Sequence, residues 1–422
     1  MLKAPRGTSD ILPQEQAYWD FVERQAASLC QLYGYHRIRT PIFEDYLLFA
    51  RTAAGGTDII DKEMYVFADR SGQKLALRAE GTAPVCRAYL EHGMFNLPQP
   101  VRLYYIGATF RYERPQAGRY RQHHQFGCEA LGDLDPSLDA EVIEIARRFL
   151  ISLGLPNHSI YINSIGCKDC QPQYVEVLKE HYSRSLKEIC ADCRVRFARN
   201  PLRLLDCKES SCQEIAEAAP RISDYLCQQC RAHFQAVQDY LGALGIGFQL
   251  NHRLVRGLDY YTRTVFEIQP QEEGAQSAIV GGGRYDDLIE EIGGKPTPAV
   301  GFATGIERII LNLVRQKAAV PPASRPAAFI AFMGGEAKTE AVKLASELRS
   351  AGIGIIAAAG DRSLKSQLRQ ANSVGAAYAI IIGEEEVKAR SVVLRDMAAN
   401  TQETLSLGEV APALKTATRR ST

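Results

Sequence analysis

A proline-rich segment at residues 320–326 is the feature that most constrains how this chain can fold. Three of its seven residues are proline (VPPASRP), and proline supplies no backbone N–H to a helix or to a sheet ladder. Such a segment is typical of a linker between domains. The sequence therefore predicts one domain over residues 1–325 and a second over residues 326–422.

The part after the linker alternates between strand and helix patterns. Apolar, strand-like runs lie at residues 327–333, 354–358 and 378–382, and helical patterns at 336–351 and 363–372 separate them. Parallel strands need such helical crossovers. We therefore expect a small α/β domain with parallel strands.

The longer part before the linker is richer in strands. A helix is indicated between Pro13 and Gly34. Further patterns predict strands at 35–44, 101–106, 127–131, 159–164, 263–268 and 278–280, a helix at 139–153, and a strand leading into a helix at 298–314. We interpret the polar segment between 106 and 127 as a long loop that joins two antiparallel strands.

The composition is that of a globular protein without a strong overall charge. Of the 422 residues, 46% are hydrophobic and 23% are charged, and 50 Lys and Arg balance 49 Asp and Glu. An anionic partner must then be held by local basic patches. No apolar run approaches the roughly 18 residues of a membrane span, and the first residues lack the apolar core of a signal peptide. We expect a cytoplasmic protein that makes no use of a membrane.

Eight of the eleven cysteines lie between Cys167 and Cys230. They form the pairs Cys167-x-x-Cys170, Cys190-x-x-Cys193, Cys207-x4-Cys212 and Cys227-x-x-Cys230. In a reducing compartment such clustering favours metal ligation over disulfides. One or two structural, tetrahedral zinc sites suit the pattern, and a set of free thiols is the alternative. The surrounding region, about 166–232, is polar and helical in pattern, and we interpret it as an insertion.

An arginine-rich segment at residues 111–121 has the chemistry of a phosphate site. It contains Arg111, Arg114, Arg119 and Arg121, and a single carboxylate. The planar guanidinium group matches phosphate, and several such groups can neutralise a polyphosphate without a glycine-rich loop. No P-loop motif occurs in the chain. A solvent-exposed hairpin held by salt bridges is the alternative interpretation.

Two further segments combine glycine with arginine and tyrosine. Residues 254–263 (LVRGLDYYTR) place Arg256 close to two tyrosines, and residues 281–286 (GGGRYD) are followed by 298–308 (PAVGFATGIER), which ends in Arg308. Small residues on a strand allow a flat ligand to lie against the sheet, and an arginine at a helix start can reach a phosphate. Ordinary turns and a surface Glu–Arg pair are the alternatives.

Taken together, these segments resemble the signature regions of class II aminoacyl-tRNA synthetases, and more narrowly the bacterial histidyl-tRNA synthetase family. The resemblance is carried by residues 77–82 (LRAEGT), 110–116 (FRYERPQ) and 256–261 (RGLDYY), and it runs from Gly7 to about Val410. It implies an α+β catalytic domain, in which helices flank an antiparallel sheet and a helical insertion is present. It also implies a C-terminal α/β domain that binds the anticodon. The cysteines of the insertion depart from the family, whose members often lack them.

The resemblance implies a histidine–tRNA ligase. Such an enzyme activates L-histidine with ATP to histidyl-adenylate and pyrophosphate, with Mg²⁺ as cofactor, and transfers histidine to the 3′ end of tRNA(His). The family's first signature matches residues 39–44 and implies a homodimer. Two alternatives are a non-catalytic regulatory paralogue of histidine biosynthesis and a class II synthetase for another amino acid. The intact segment at 256–261 and the presence of the C-terminal domain argue against the paralogue, and Glu129 with the two tyrosines argues against another amino acid.

The resemblance also implies roles for individual arginines. Arg111 would bind the α-phosphate of ATP and the carboxylate of histidine, and Arg256 would face the α-phosphate from the other side. Both are therefore candidate catalytic residues, because fixed cations stabilise charge that develops in the transition state. Arg119 and Arg121 would lie near the nucleotide, and Arg308 would contact the γ-phosphate.

The implied histidine site draws on three parts of the chain. Its residues are Glu80, Thr82, Arg111, Gln125, Glu129, Arg256, Tyr260 and Tyr261. Glu80, Thr82 and Gln125 would hold the α-ammonium group. Glu129 and Tyr260, with Tyr261 nearby, would recognise the imidazole, because paired polar groups reject side chains that cannot satisfy them.

The implied tRNA contacts lie in both domains. Arg114 and Gln116 would contact the acceptor end of the tRNA. In the C-terminal domain, a helix at residues 363–370 offers Lys365, Gln367 and Arg369 to RNA, with a solvated helix face as the alternative.

Overall fold

The computed structural model describes residues 2–51, 63–113, 120–271, 278–322 and 325–420. The chain divides into two compact units, Met1–Pro321 and Pro322–Thr422. The first unit contains α1 (Gln16–Leu32), β1 (His36–Arg37), β2 (Phe43–Asp45), α2 (Tyr46–Arg51), β3 (Val66–Ala68), β4 (Lys74–Leu77), α3 (Thr82–Glu91), β5 (Val101–Phe110), β6 (Gln122–Leu131), α4 (Pro136–Ser152), β7 (His158–Ser164), α5 (Gln171–Ser183), α6 (Ala191–Arg199), α7 (Ser210–Glu217), α8 (Gln228–Ala243), β8 (Gln249–Leu250), β9 (Thr262–Pro270), β10 (Val280–Arg284), α9 (Leu288–Glu291), β11 (Ala299–Gly305) and α10 (Ile306–Arg315).

A large mixed sheet forms the centre of the first unit. Among the described residues its eight strands follow the order β1-β5-β6-β11-β10-β9-β7-β8. The six inner strands are antiparallel, and the two short edge strands pair in parallel with β5 and β7. Helices α1, α4 and α10 cover one face, where Val22, Phe126, Phe149 and Ile309 are buried in one apolar cluster. The prediction of an antiparallel sheet flanked by helices is confirmed.

Several predicted strands differ from the observed ones; the strand expected at 278–280, for example, is observed at Val280–Arg284. The strand expected at 35–44 is broken into β1 and β2, because Pro41 lies between them and cannot donate to a ladder. The hairpin strands β5 and β6 are longer than expected: β5 extends to Phe110 and β6 begins at Gln122. Residues 122–125 of β6 are polar (QHHQ), and this polarity hid the strand pattern.

The region expected as an insertion is helical. Helices α5 to α8 and a 3₁₀ turn at Pro201–Leu204 account for most of it. Its buried Tyr174, Leu178 and Leu204 belong to the same apolar cluster as Tyr260 and Tyr285. The insertion therefore shares one apolar core with residues at the ends of β9 and β10.

The second unit is a smaller α/β domain. It contains β12 (Ala328–Phe332), α11 (Gly335–Ser350), β13 (Ile355–Ala357), α12 (Leu364–Ser373), β14 (Tyr378–Ile382), α13 (Glu384–Ala389), β15 (Ser391–Asp396), β16 (Gln402–Ser406) and α14 (Leu407–Arg420). Strands β13, β12 and β14 are parallel, as predicted. Strands β15 and β16 extend the sheet in the antiparallel sense and were not predicted. They contain many polar residues, so their sequence pattern could not be distinguished from that of a loop.

One residue that the sequence offered to RNA is a core residue of the second unit. The side chain of Gln367 is 1% exposed. Its Oε1 accepts from the Phe332 amide at 2.9 Å, and its Nε2 donates to the carbonyls of Phe332 and Arg362 at 2.8 Å each. Gln367 therefore ties α12 to β12 and does not face a ligand. Across both units, no helix among the described residues combines the length and apolar character needed to span a membrane.

Candidate active site

A fully buried carboxylate marks the centre of the candidate site. Glu129 lies on β6, where its Oε1 accepts from the Thr82 hydroxyl at 2.7 Å and its Oε2 accepts from the Tyr285 hydroxyl at 2.5 Å. Burial raises the pKa of Glu129 to about 8, and these two hydrogen bonds oppose the rise. A carboxylate held this way can bind a ligand that donates a proton or an N–H.

Glycine residues open the sheet surface around this carboxylate. Gly301 pairs with Glu129 across β11 and β6, and a Cβ atom at Gly301 would lie 1.8 Å from Glu129 Oε2. A Cβ at Gly127 would lie 2.4 Å from the hydroxyl of Tyr105. Any larger residue at either position would push these polar groups aside, so the two glycines are required for the pocket to exist.

Three tyrosines surround Glu129 on the side of the insertion. The rings of Tyr260 and Tyr261 lie 5.0 Å apart, and the ring of Tyr260 meets that of Tyr285 edge-on at 5.8 Å. All three are buried. The pocket thus combines apolar ring faces with hydroxyl groups, a surface that suits a planar, polar ring.

The start of α3 supplies a second buried carboxylate. Glu80 accepts from the backbone amides of Thr82 at 2.5 Å and Ala83 at 2.8 Å, and burial raises its pKa. Nearby on β6, Gln125 is buried, and its Oε1 has no hydrogen-bond partner among the described residues. An unpaired buried acceptor is costly, so this oxygen is well suited to a ligand N–H.

Arg256 lies across the glycine-rich strand β10. It forms an ion pair through Nη1 with Glu267 of β9. A Cβ atom at Gly281, which pairs with Glu267, would lie 2.1 Å from Arg256 Nη2. Burial alone would lower the pKa of Arg256, but Glu267, Tyr261 and Tyr260 together outweigh burial and raise the pKa. The guanidinium is therefore a fixed cation above the sheet.

Further cations lie along β6 and its neighbours. Arg111 Nε donates to the Ala79 carbonyl at 2.9 Å, and Arg308 Nη1 donates to the Ala278 carbonyl at 2.6 Å. Burial, together with the charges of Arg111, His124 and Arg308, lowers the pKa of His123 to about 3. The charges of Arg111 and Arg308 therefore both reach His123, and this part of the site is electropositive.

The remaining predicted residues are only partly described. The guanidinium of Arg121 lies over the ring of Tyr112, 3.8 Å from its centre. Arg114, Gln116 and Arg119 lie outside the described residues.

Sequence reasoning missed two groups of this site. Tyr285 was quoted within the segment 281–286 but given no role, although it donates to Glu129. Glu267 was not considered, although it holds Arg256. No local signal could have found them, because both roles depend on the strand register: Glu267 directly faces Gly281 of the glycine-rich strand only in the folded sheet.

The eight clustered cysteines form two groups of four in the described part of the chain. The first group is Cys167, Cys170, Cys227 and Cys230, and the second group is Cys190, Cys193, Cys207 and Cys212. Within each group the sulfur atoms lie within 4.8 Å of one another. In the first group, Cys167 Sγ is 3.7 Å from Cys170 Sγ, and Cys170 Sγ is 3.8 Å from Cys230 Sγ. The four cysteine pairs are visible in the sequence, but which pairs combine into one group is not.

Comparison with known proteins gives consistent results over nearly the whole chain. A family model described as histidyl-tRNA synthetase matches residues 7–309, and one described as an anticodon-binding domain matches residues 327–417. A histidine–tRNA ligase of Dehalococcoides mccartyi is 58% identical over 97% of this chain and 98% of its own. One of Caldanaerobacter subterraneus is 48% identical over 98% and 100%. The crystal structure of apo S. aureus histidyl-tRNA synthetase superposes with a TM-score of 0.83 at 38% identity, covering 98% of this chain and 100% of that one.

Proposed function

The chain belongs to the histidyl-tRNA synthetase family and is an aminoacyl-tRNA ligase that joins histidine to tRNA, and we propose that the pocket around Glu129 binds and activates the histidine. The observation that carries this proposal is the buried carboxylate set among tyrosines, with fixed arginines beside it. The regulatory alternative is not favoured, since full-length relatives at high identity are ligases.

The imidazole of histidine fits the environment of Glu129. One ring N–H would donate to the carboxylate, and the hydroxyl of Tyr260 would meet the other ring nitrogen, with Tyr261 beside it. Because both partners are buried, an amino acid lacking paired polar atoms would leave them unsatisfied, which is the strongest form of discrimination available to a binding site.

The α-ammonium of histidine would lie against Glu80, Thr82 and Gln125. The unpaired Oε1 of Gln125 and the carboxylate of Glu80 both accept hydrogen bonds, and an ammonium group donates three. This placement would direct the carboxylate of histidine towards Arg111.

Arg111 and Arg256 would perform the catalytic work of activation. The carboxylate of histidine attacks the α-phosphate of ATP, and both groups are anionic, so their repulsion opposes the approach. Guanidinium groups on the two sides neutralise that repulsion and stabilise the charge of the transition state. The ion pair with Glu267 holds Arg256 in place before the substrates bind, which lowers the reorganisation needed during the reaction.

The phosphates of ATP would follow the electropositive strip of Arg111, Arg121 and Arg308. Arg119 remains a prediction for the nucleotide, as do Arg114 and Gln116 for the tRNA acceptor end. We also propose that Mg²⁺ accompanies ATP. Mg²⁺ retains several waters and binds chiefly through substrate phosphates with one or two carboxylates. The ATP oxygens would therefore be its main ligands, and the arginines would contact the phosphates directly.

A homodimer and a cytoplasmic location complete the proposal. The predicted dimer segment, residues 39–44, presents exposed Ile42 and Phe43, and Leu47 and Phe67 beside it are also exposed. Contiguous exposed apolar side chains are typical of an interface. Sedimentation of Phe43→Glu, beside the wild-type protein, tests the dimer.

Each cysteine group has the geometry of a structural zinc site. Zn–S bonds of about 2.3 Å in a tetrahedron separate the sulfurs by about 3.8 Å, and the measured separations include 3.7, 3.8 and 3.9 Å. Backbone amides donate to the sulfurs, as from Cys190 to Cys212 at 3.3 Å, which favours thiolates. We expect two zinc ions per chain by mass spectrometry, and protein purified without chelator that carries less than about a tenth of this amount would contradict the assignment.

The decisive test of the proposed site is ATP–pyrophosphate exchange with each of the twenty amino acids. We expect exchange with histidine alone, and Glu129→Ala should abolish it while the protein stays folded. Exchange with another amino acid at a comparable rate would show that the pocket assignment is wrong, and no exchange with any amino acid would favour the regulatory paralogue.

A further inference from the structure

Arg263 connects the first cysteine group to the histidine pocket. Its Nη1 donates to Cys230 Sγ at 3.3 Å, and its Nε donates to Asp286 Oδ2 at 3.1 Å. The side chain is only 11% exposed. One mostly buried guanidinium therefore bridges a cluster of thiols and the carboxylate of Asp286, which follows β10.

The backbone of Arg263 is also tied to the cysteine group. Its N–H donates to the Gly166 carbonyl, and its carbonyl accepts from the Ile165 N–H, both at 2.7 Å. Gly166 directly precedes Cys167. Arg263 has a φ of +48°, a conformation that is uncommon for a residue with a side chain. The surrounding contacts must therefore hold it there.

On its other side, Arg263 fixes the ends of two strands that carry pocket residues. Tyr261 lies two positions before it, and the Asp286 amide donates to the Thr262 hydroxyl at 3.1 Å. Asp286 follows Tyr285, which donates to Glu129. A shift of Arg263 would thus move Tyr261, which precedes β9, and Tyr285, which follows β10.

We propose that a zinc ion in the first cysteine group positions the histidine-binding tyrosines through Arg263. This inference rests on the zinc binding proposed above. Four thiolates around Zn²⁺ keep a net negative charge, so the bond from Arg263 to Cys230 is charge-assisted and about twice as strong as one to a neutral group. Without the ion the Cys230 sulfur is no longer held in place, its hydrogen bond from Arg263 is lost, and the strand ends are released. Arg263 is a positioning residue, since it acts through the tyrosines.

The two cysteine groups offer a matched pair of variants. Cys227 and Cys190 each lie at the N-cap of a helix, α8 and α6, and each accepts from the backbone amide three residues later. Both are half-buried. Serine keeps the helix cap but removes a strong zinc ligand. Cys227→Ser therefore tests the first group, and Cys190→Ser is its control in the second group.

The experiment measures zinc content and the kinetics of pyrophosphate exchange. Cys227→Ser should lose one of two zinc ions and raise the KM for histidine about tenfold, while kcat at saturating histidine changes less than about twofold. Arg263→Gln should raise the histidine KM similarly and keep both ions. Arg263→Lys should recover part of the loss.

Double variants separate the link from general damage. Cys227 and Arg263 act in one chain of contacts, so the histidine KM of the double variant Cys227→Ser/Arg263→Gln should be no higher than that of Cys227→Ser alone. In the control double variant, Cys190→Ser/Arg263→Gln, the effects of the two substitutions on the histidine KM should multiply. An unchanged histidine KM in Arg263→Gln, or multiplied effects in both doubles, would overturn the link while leaving zinc binding intact. Wild-type protein without zinc would overturn the zinc proposal itself. If Cys227→Ser fails to fold, the two Arg263 variants decide the question.

Discussion

Replacing Glu129 by glutamine should make the protein more stable and the enzyme worse. Burial raises the pKa of Glu129 from its ordinary 4.5 to about 8. Because the folded state has the higher pKa, it favours the protonated carboxyl group. The stability from this group is fully present below pH 4.5 and is lost as pH rises towards and through about 8.

The size of the effect follows from the pKa difference. At pH 7 the pH lies about 2.5 units above the unfolded pKa, and at 1.36 kcal/mol per unit the burial of this carboxyl costs about 3 kcal/mol. Glutamine has no such cost. Its amide has one acceptor oxygen for the hydroxyls of Thr82 and Tyr285, so one hydroxyl must reverse its role, at a cost of about 1 kcal/mol. The net gain is about 2 kcal/mol at pH 7 and close to zero at pH 5.

The assay is urea unfolding at several pH values. Trp19 is the single tryptophan of the chain and is buried in the first unit, so its fluorescence reports that unit alone. The stability difference between Glu129→Gln and the wild type should grow from pH 5 to pH 8. Histidine-dependent exchange, measured above pH 8 where Glu129 is ionised, should fall about 10- to 100-fold, because a charge-assisted bond to the imidazole becomes a neutral one. The exposed Glu188→Gln is the control and should change neither quantity.

Two results would refute this reasoning. A stability difference that is the same at pH 5 and pH 8 would mean that the pKa of Glu129 is not raised. An unchanged exchange rate would mean that Glu129 does not contact the imidazole.

Three further predictions concern other parts of the structure. Arg256→Ala should slow adenylate formation by about 10²- to 10³-fold with only small changes in the KM values, measured by single-turnover release of pyrophosphate; formation at near wild-type speed would contradict its role. Gly301→Ala should weaken histidine binding at least tenfold and destabilise the first unit by about 1–3 kcal/mol, because its Cβ would lie 1.8 Å from Glu129 Oε2; Gly305→Ala on the same strand, with its nearest neighbour at 4.0 Å, is the control that should leave both intact. Gln367→Ala should destabilise the second unit by about 2–4 kcal/mol, because it leaves the Phe332 amide and carbonyl unpaired, and hydrogen exchange at the Phe332 amide should accelerate.

Elements with one clear periodicity could be predicted from the sequence. The helices α1 and α4 and the strand β14 have regular apolar spacing, and their observed bounds lie close to the expected ones. The beginning of β6 could not be recognised as a strand, because His123, His124 and Gln125 are polar and interrupt the apolar pattern. The antiparallel β15 and β16 were missed for a related reason, since an exposed edge strand needs few apolar residues.

The candidate site shows the same division. Residues such as Arg111 and Glu129 could be named because they stand in recognisable segments. The roles of Tyr285 and Glu267 depend on which residues of neighbouring strands face each other, and the strand patterns in this sequence did not show that pairing. The pairing of the cysteines is a further example: the four pairs were visible, but only the fold brings the first pair to the fourth and the second to the third.

The register of the sheet is also what makes the pocket ready for its substrates. Burying a charge is costly unless it is paired, and each charge here has a partner across a strand boundary or from a neighbouring segment. Glu267 faces Gly281, which leaves room for Arg256 to reach the carboxylate, and Gly301 faces Glu129, which leaves room for that carboxylate itself. The donors and acceptors are therefore oriented by backbone pairing before histidine or ATP arrives. Since catalysis depends on groups that need not reorganise in the transition state, the glycines of β10 and β11 would support the proposed activation by making room for the charged residues that they accommodate.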